Sequence, residues 1–262
     1  MPVFYDQMNK AVQLQQTPKR IISIVPSQTE LLFDLSLDDR IVGVTKFCIH
    51  PADKVKQIAK IGGTKQLNIQ AIHNLQPQLI IANKEENEQI QIEELMQHYP
   101  VWISDIQNLP SALDMITRVG EITGTETKAW SLVNKIAKQF HSLQPAQPKL
   151  RVMYLIWRKP YMAAGHGTFI NNMLQLCGFE NVVNTQRYPE LNTDDIVAAK
   201  PNVLLLSSEP YPFAQKHIDE FKQMLPGVKV ELVDGELFSW YGSRLLHSPG
   251  YFNTLIEKLT SK

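Results

Sequence analysis

Two cysteines in 262 residues, Cys48 and Cys177, are too few for a disulfide framework. Neither sits in a CxxC pair of the zinc or redox kind, so both are expected to be reduced thiols. An excess of charge of one sign is missing as well. The 26 Lys plus Arg balance 26 Asp plus Glu without long runs of either, which argues against a general nucleic-acid or anionic-membrane surface. No apolar run approaches the roughly 20 residues of a membrane span. The amino end, MPVFYDQMNKAVQLQQTPKR, lacks the charged start, apolar stretch and small-residue cleavage site of a signal peptide. As it stands the sequence reads as a soluble, cytoplasmic protein; a periplasmic or cell-envelope protein whose leader had been trimmed would read the same. Also missing are a GxGxxG turn after the first strand, a Walker lysine, a nucleophile elbow and an HExxH helix, each of which would have pointed to an enzyme.

What is present is one pattern used twice. NIQAIHNLQPQLIIANKEE (68–86) is echoed 124 residues later by NTDDIVAAKPNVLLLSSEP (192–210), with Ile72 matching Ile196, Pro77 matching Pro201 and Glu85 matching Glu209. Each copy reads as a short helix, a proline stop and a buried strand. One copy in each half implies two similar α/β lobes, expected to face each other across a ligand-holding cleft.

The remaining pattern agrees with that plan. RIISIV (20–25) is a β-branched run, and after Pro26 the stretch SQTELLFDLSL opens with Ser27 followed three residues later by Glu30, the signature of a capping box. RIVGVT, QLIIAN and VWIS read as strands. NIQAIHNLQ, 88–98 and 109–122 read as helices, the last closed by Gly124. Such alternation builds a mostly parallel sheet covered on both faces. Over 125–143, Ala129, Leu132, Val133, Ile136, Ala137, Phe140 and Leu143 keep the spacing of one helical face. About 19 residues at 1.5 Å each make a rod of roughly 28 Å. QPAQP ends this connector. The second half continues with RVMYLIW as a strand, TFINNMLQLCG as a helix, KVELVDG as a strand and a last helix from about Arg244. The expected organisation is an amino-terminal lobe over 1–124, a linking helix over 125–145 and a carboxyl-terminal lobe over 146–262. In fold class these are two Rossmann-like α/β lobes with mostly parallel sheets, joined by one long helix that restrains their relative motion.

Open α/β sheets hold ligands at the carboxyl ends of their strands, and four segments that follow strands stand out. KFCIHP places Phe47, Cys48 and His50 there. His50 could cover a ring, hydrogen-bond its side chain or ligate a metal; the plainer reading has Phe47 and Cys48 facing the core and His50 as a turn residue. WRKPYMAAGHGTF supplies Trp157, Tyr161 and His166, with Gly165 and Gly167 letting backbone approach a ligand closely. SSEPYPF adds Glu209, Tyr211 and Phe213, and FSWYGSR adds Trp240, Tyr241 and Arg244. Half of these aromatics filling the core is the ordinary alternative, whereas convergence of all four segments suits a large planar ligand with a polar rim. A ferric siderophore would favour arginines, for which Arg158, Arg187 and Arg244 are the candidates. A metal ion held directly would need three or four converging ligands, and His50, His166 and Glu209 are the set available.

The order and spacing of PKRIISIVPSQTELLFDLSLDDRIVGVT, the helix-LxP-strand unit, the linking helix and GTFINNMLQLCGFENVV together resemble the helical-backbone metal receptor superfamily. These are the substrate-binding proteins of cobalamin and iron-siderophore ABC transporters, and the resemblance runs from about Lys19 to the carboxyl end. It implies a non-catalytic, monomeric protein that holds a cobalamin-like corrinoid or a ferric siderophore in the interlobe cleft, without a covalent cofactor, and an ABC-transporter permease as partner. In the cobalamin-binding branch, an aromatic residue in the loop corresponding to Phe47 touches the corrin. In transport-coupled members an exposed glutamate on each lobe pairs with permease arginines. This chain departs from that pattern, with Gln70 where the family has an acidic residue and Gln78 where it has an aspartate. An amide keeps hydrogen bonding but loses the charge that steers docking. Glu85 or Glu86 in the first lobe and Glu220 in the second are the remaining docking candidates. The competing readings are a two-lobed enzyme such as a sugar-nucleotide transferase and a direct metal-ion receptor.

Overall fold

The computed structural model describes residues 2–261, which divide into two compact units. One comprises the residues up to Ile106 with Pro110–Ile136 and Tyr241–Arg244; the other comprises Gln107–Leu109, Ala137–Trp240 and the residues from Leu245 on. The division falls inside a helix, between Ile136 and Ala137.

The first unit opens with a hairpin, β1 (Val3–Tyr5) and β2 (Ala11–Gln13), followed by β3 (Ile21–Ser23), α1 (Pro26–Asp34), β4 (Ile41–Val44), α2 (Ala52–Val55) and β5 (Ala59–Lys60). Then come α3 (Ile69–Leu75), β6 (Leu79–Asn83), α4 (Gln89–Met96), β7 (Val101–Ser104), α5 (Leu109–Thr123) and α6 (Glu126–His141). Its main sheet is all parallel in the order β5-β4-β3-β6-β7. Every residue of β3, β6 and β7 is buried, as a sheet covered on both faces requires.

The second unit carries β8 (Leu150–Trp157), β9 (Tyr161–Ala163), α7 (Phe169–Leu176), β10 (Phe179–Asn181), β11 (Glu190–Leu191) and α8 (Thr193–Ala198). It continues with β12 (Val203–Ser207), α9 (Gln215–Met224), β13 (Lys229–Val233), α10 (Gly235–Ser239) and α11 (Ser248–Thr260). Here β10, β8, β12 and β13 are parallel, while β9 and β11 add antiparallel pairing at one edge.

The internal repeat is closer in structure than in sequence. Asn68 caps α3 by accepting from the Ala71 N–H at 3.0 Å, and Asn192 caps α8 by accepting from the Asp195 N–H at 3.0 Å. Ile72 and Ile196 are both fully buried. Both helices end at a left-handed residue, Gln76 (φ 44°) and Lys200 (φ 47°), directly before the proline. An arginine then closes each turn, Arg20 from directly before β3 and Arg151 from within β8. The Arg20 guanidinium donates to the Leu75 carbonyl at 2.5 Å, and that of Arg151 donates to the Ala199 carbonyl at 2.9 Å. These cations satisfy carbonyls left over at a helix carboxyl end and complement its dipole. The strand that follows lies beside the arginine's own strand in both cases, β6 against β3 and β12 against β8.

Three expectations change. Helix α1 begins two residues earlier than the Ser27–Glu30 box implies, with Pro26 in its first turn, Val25 rather than Ser27 as the N-cap and no side-chain cap. Pro26 has no N–H to satisfy and a φ suited to that position, so it displaces serine as the starting residue. The linking helix is 16 residues, Glu126–His141, rather than 19. The last helix starts at Ser248, after a single 3-10 turn over Ser243–Leu246. If the left-handed helix ends are a sterically costly feature shared by both units, Gln76→Gly and Lys200→Gly should each stabilise the protein by about 0.5–1 kcal/mol. Urea unfolding monitored by circular dichroism measures this, and a loss of stability in both variants would contradict it.

Candidate functional site

In each unit the chain leaves the first sheet strand toward one side and later returns to pair on the other. The crevice at the carboxyl ends of those two strands is where an open α/β sheet binds ligands. In the second unit this is the junction of β8 and β12. Trp157 and Arg158 leave β8 there, and Tyr211 and Phe213 follow β12. The rings of Trp157 and Tyr211 meet edge to face, 5.7 Å apart, and Tyr211 in turn packs edge-on against Phe213 at 4.8 Å. Trp157 remains 39% exposed, so its indole is presented rather than buried. Phe213 is 6% exposed and belongs to the hydrophobic core of this unit, where it supports Tyr211 from behind.

Helix α9 closes one side of this face. Arg158 Nη2 donates to both carboxylate oxygens of Glu220, at 2.9 and 2.7 Å, and the Tyr161 hydroxyl donates to the same carboxylate at 3.1 Å. The adjacent Phe221 packs under the Tyr161 ring at 5.4 Å. The Arg158 guanidinium, helped by the Tyr161 hydroxyl, holds the Glu220 carboxyl below its ordinary pKa against a smaller opposing effect of burial. Glu220 is therefore an internal ion-pair partner, a commitment that its expected docking role did not include.

Glu209 and Trp240 form a second joined group. Glu209 accepts from the Trp240 indole N–H at 2.9 Å and from the Ser239 hydroxyl at 2.8 Å. Trp240 is 7% exposed, so most of its area packs inside the unit. Burial raises the Glu209 pKa; Glu236 and Asp234 add to that, while the bonds from Ser239 and Trp240 oppose it. His166 lies on a loop paired through its backbone with Thr185 and Arg187, at 2.9 and 2.8 Å. A Cβ on Gly165 would lie 2.1 Å from the Thr185 carbonyl, so that glycine serves the approach of one loop to another rather than of backbone to ligand.

In the first unit the segment after β4 splits. Phe47 is 50% exposed with the Lys46 ammonium 5.1 Å from its ring centre, and Ile49 beside it is also exposed. Cys48 is buried and shares hydrogen bonds with the Thr29 and Thr45 hydroxyls at 3.1 and 3.2 Å. Burial pushes its thiol pKa up, which leaves it a core residue rather than a nucleophile. His50 is half-buried. After β6, the Asn83 side chain accepts from the Glu85 and Glu86 N–H groups at 2.8 and 3.1 Å and so shapes that loop.

Tyr241 and Arg244 fall in this first unit, not with the second-unit strand ends from which the sequence places them. The Tyr241 hydroxyl donates to the Glu86 carboxylate, and Arg244 holds Glu30 of α1 in a two-point pair at 2.9 and 2.6 Å. Gly242 makes the close approach possible, since a Cβ there would lie 2.7 Å from the Ser27 carbonyl. Gln70 is exposed and bonds to Asn74 at 3.0 Å, while Gln78 accepts from the Lys19 N–H at 2.7 Å and so has a structural task. No cluster of three or more His, Cys, Asp or Glu side chains suited to a metal occurs among the described residues.

Sequence reasoning missed Glu30 as the partner of Arg244, and missed His217 entirely. It also missed Asp194, which the 124-residue repeat places in register with Gln70 and which is exposed at the start of α8. The repeat itself was the available signal for Asp194; nothing in QKHIDEFKQM marked His217.

Residues 21–229 match the family model described as periplasmic binding protein. A vitamin B12-binding protein of Pectobacterium carotovorum is 24% identical over 237 residues, covering 87% of this chain and 85% of its relative. Among solved structures, the periplasmic vitamin B12 binding protein of Vibrio cholerae superposes with a TM-score of 0.76 at 20% identity, covering 94% of this chain and 99% of that one. A periplasmic haem binding protein of the same organism gives 0.77 at 20% identity, covering 90% and 98%. These likenesses establish the two-lobed α/β fold that the sequence led us to expect.

Glu220 on α9 and Glu209 after β12 should titrate in opposite senses. Glu220 has a depressed folded pKa, so its stabilising contribution is complete above the ordinary glutamate value of about 4.3 and is lost as pH falls through the folded value. Glu209 has a raised folded pKa, so its contribution is complete below that ordinary value and is lost as pH rises through the folded one. Thermal unfolding across pH 3.5–7.5 (about one unit below that value to three above) should show the gap between wild type and Glu220→Gln closing toward acid. The gap to Glu209→Gln should favour wild type most in acid. Two flat gaps would contradict the assignment.

Proposed function

The chain belongs to the periplasmic binding protein family, and we propose that it is the substrate-binding component of an ABC-type uptake system whose cargo is a corrinoid of the vitamin B12 type. It is a binding protein and not an enzyme, in keeping with that family. The observation that carries the ligand reading is the state of the arginines. Arg158 and Arg244 are each held at two points by a glutamate, Glu220 and Glu30. Haem propionates and siderophore oxygens are anionic and are best received by guanidinium groups. A corrin ring fringed with amides asks instead for flat apolar faces and neutral hydrogen-bonding groups, which Trp157, Tyr161, Tyr211 and Phe47 offer. Haem is the second reading, favoured by the exposed Arg187, whose guanidinium lies 5.9 Å from the Tyr188 ring centre.

In this reading the protein works outside the cytoplasmic membrane, as relatives named periplasmic do. Among the described residues no helix is long and apolar enough to cross a membrane. A permease is the partner, and a carboxylate on each unit would steer docking. The second unit has Asp194 at the repeat position where the first has Gln70, so the charge is present on one side only. Glu86, already bonded to Tyr241, and Glu85 are the first-unit alternatives. In reconstituted uptake, Gln70→Glu should raise transport. Full transport by the protein as it stands, abolished by replacing Glu85 and Glu86 with glutamine, would show that the first-unit charge lies there instead.

The direct test is absorption spectroscopy after incubation with cyanocobalamin, haemin or a ferric chelate, followed by desalting. A retained corrin band is the expected result, and retention of a ferric chelate alone would overturn the corrinoid reading. Trp157→Ala should weaken binding by about 1–4 kcal/mol with little change in stability. Trp240→Ala should chiefly destabilise the fold, by about 3–5 kcal/mol, because its ring is buried. Unaltered affinity in a well-folded Trp157→Ala protein would remove Trp157 from the ligand face.

A further inference from the structure

Helix α9 carries a buried histidine whose two ring nitrogens are both engaged. His217 is 2% exposed. The Ala214 N–H, which precedes the helix, donates to Nδ1 at 2.8 Å. An Nδ1 that accepts carries no proton, so the neutral ring is protonated at Nε2 and donates from there to the Tyr211 hydroxyl at 3.3 Å. The same ring packs edge-on against Tyr211 at 5.5 Å and Phe213 at 5.4 Å. Tyr211 is the ring against which Trp157 leans. One turn further along α9, Glu220 and Phe221 fix Arg158 and Tyr161. One helix thus holds Tyr161, Tyr211 and Phe213 directly and Trp157 through Tyr211.

We infer that His217 is the positioning residue of the Trp157–Tyr211 face and that only its neutral form can hold it, so the face loosens, and its ligand with it, in mild acid. The ligand half of this inference rests on the corrinoid-binding reading given above. Protonation places a hydrogen on Nδ1, where the Ala214 N–H already points, and two donors cannot share one bond. The helix start and the imidazolium must then part, and the displaced ring carries its Nε2–H donor away from the Tyr211 hydroxyl, which is left with Arg158 as a side-chain partner. The charged groups around the ring act in both directions, with the cations prevailing. Arg158 from the end of β8 and Lys216 on α9 oppose a second positive charge. Glu220 on α9 favours one but is already held by Arg158, while burial holds the Tyr161 phenol above its ordinary pKa. Burial, foremost, and then Arg158 hold the imidazole below its ordinary pKa, which puts the transition on the acid side of neutrality.

The test begins with ligand-free protein labelled for NMR at histidine nitrogens and tyrosine rings. His217 should appear as the neutral Nε2–H tautomer at neutral pH, and the Tyr211 signals should follow its titration rather than that of any other of the seven histidines. In His217→Gln the amide oxygen can accept from Ala214 and the amide N–H can donate to Tyr211, so the Tyr211 signals should become independent of pH. Cyanocobalamin affinity of the wild type should fall about tenfold from neutral pH to mild acid. His217→Gln should show the same affinity in mild acid as at neutral pH, so that the acid loss is confined to the wild type. Tyr211 signals that ignore His217 in the wild type would overturn the inference, even if the variant did not fold. So would an equal loss of affinity in acid for both proteins. Failure to bind cyanocobalamin at any pH, with Tyr211 still tracking His217, would sink the corrinoid reading and leave the positioning role supported.

Discussion

The ion pair between Arg158 and Glu220 is the interaction on which the candidate binding face of the second unit depends. Its side chains are 20% and 33% exposed, so solvent screens it and its direct contribution to stability is small. Its effect on geometry and charge is larger. It ties the end of β8 to α9, draws in the Tyr161 hydroxyl, and sets the Arg158 cation against a carboxylate beside the aromatic rings of the β8–β12 crevice. Removing either partner would leave the other ion half-buried, with consequences for what could approach.

The first unit follows a similar logic with different residues. Arg244 is neutralised by Glu30, Tyr241 is anchored on Glu86, and Phe47 stays exposed beneath the Lys46 ammonium. Fold similarity does not select the ligand, because a vitamin B12 protein and a haem protein from one organism match this chain almost equally. Selection has to come from side chains at the strand ends, where function is grafted onto a shared frame. In this chain those side chains are aromatic, and the nearby guanidinium groups of Arg158 and Arg244 are already engaged.

Much of the fold was legible because buried strands of parallel sheets leave a strong local trace. RIISIV, QLIIAN and RVMYLIW are unmistakable apolar runs, and the Asn-capped helix before each proline keeps its Asn, Ile and Pro at the same spacing in both halves. The site was less legible, since its decisive contacts join residues far apart in sequence. Glu220 reads as one more charge on an amphipathic helix until the fold brings it to Arg158, 62 positions away. Arg244 and Glu30 are 214 positions apart. Trp157, Tyr161 and Tyr211 could be nominated from their strand-end positions, whereas Phe213 and Trp240 look identical in sequence and prove to be buried. A periodic pattern reports which face of an element is apolar; it does not report which strand-end side chain turns inward.

In the proposed reading, engaging Arg158 and Arg244 with carboxylates inside the protein sets the ligand class. This is tested most directly by the ratio of dissociation constants for cyanocobalamin and haemin, measured by titration calorimetry on wild type and on Glu220→Gln. Wild type should favour cyanocobalamin, and releasing Arg158 should shift the ratio toward haemin, whose propionates can then take the place of the lost carboxylate. Tighter haemin binding by the wild type, or a ratio unchanged by the substitution, would contradict it.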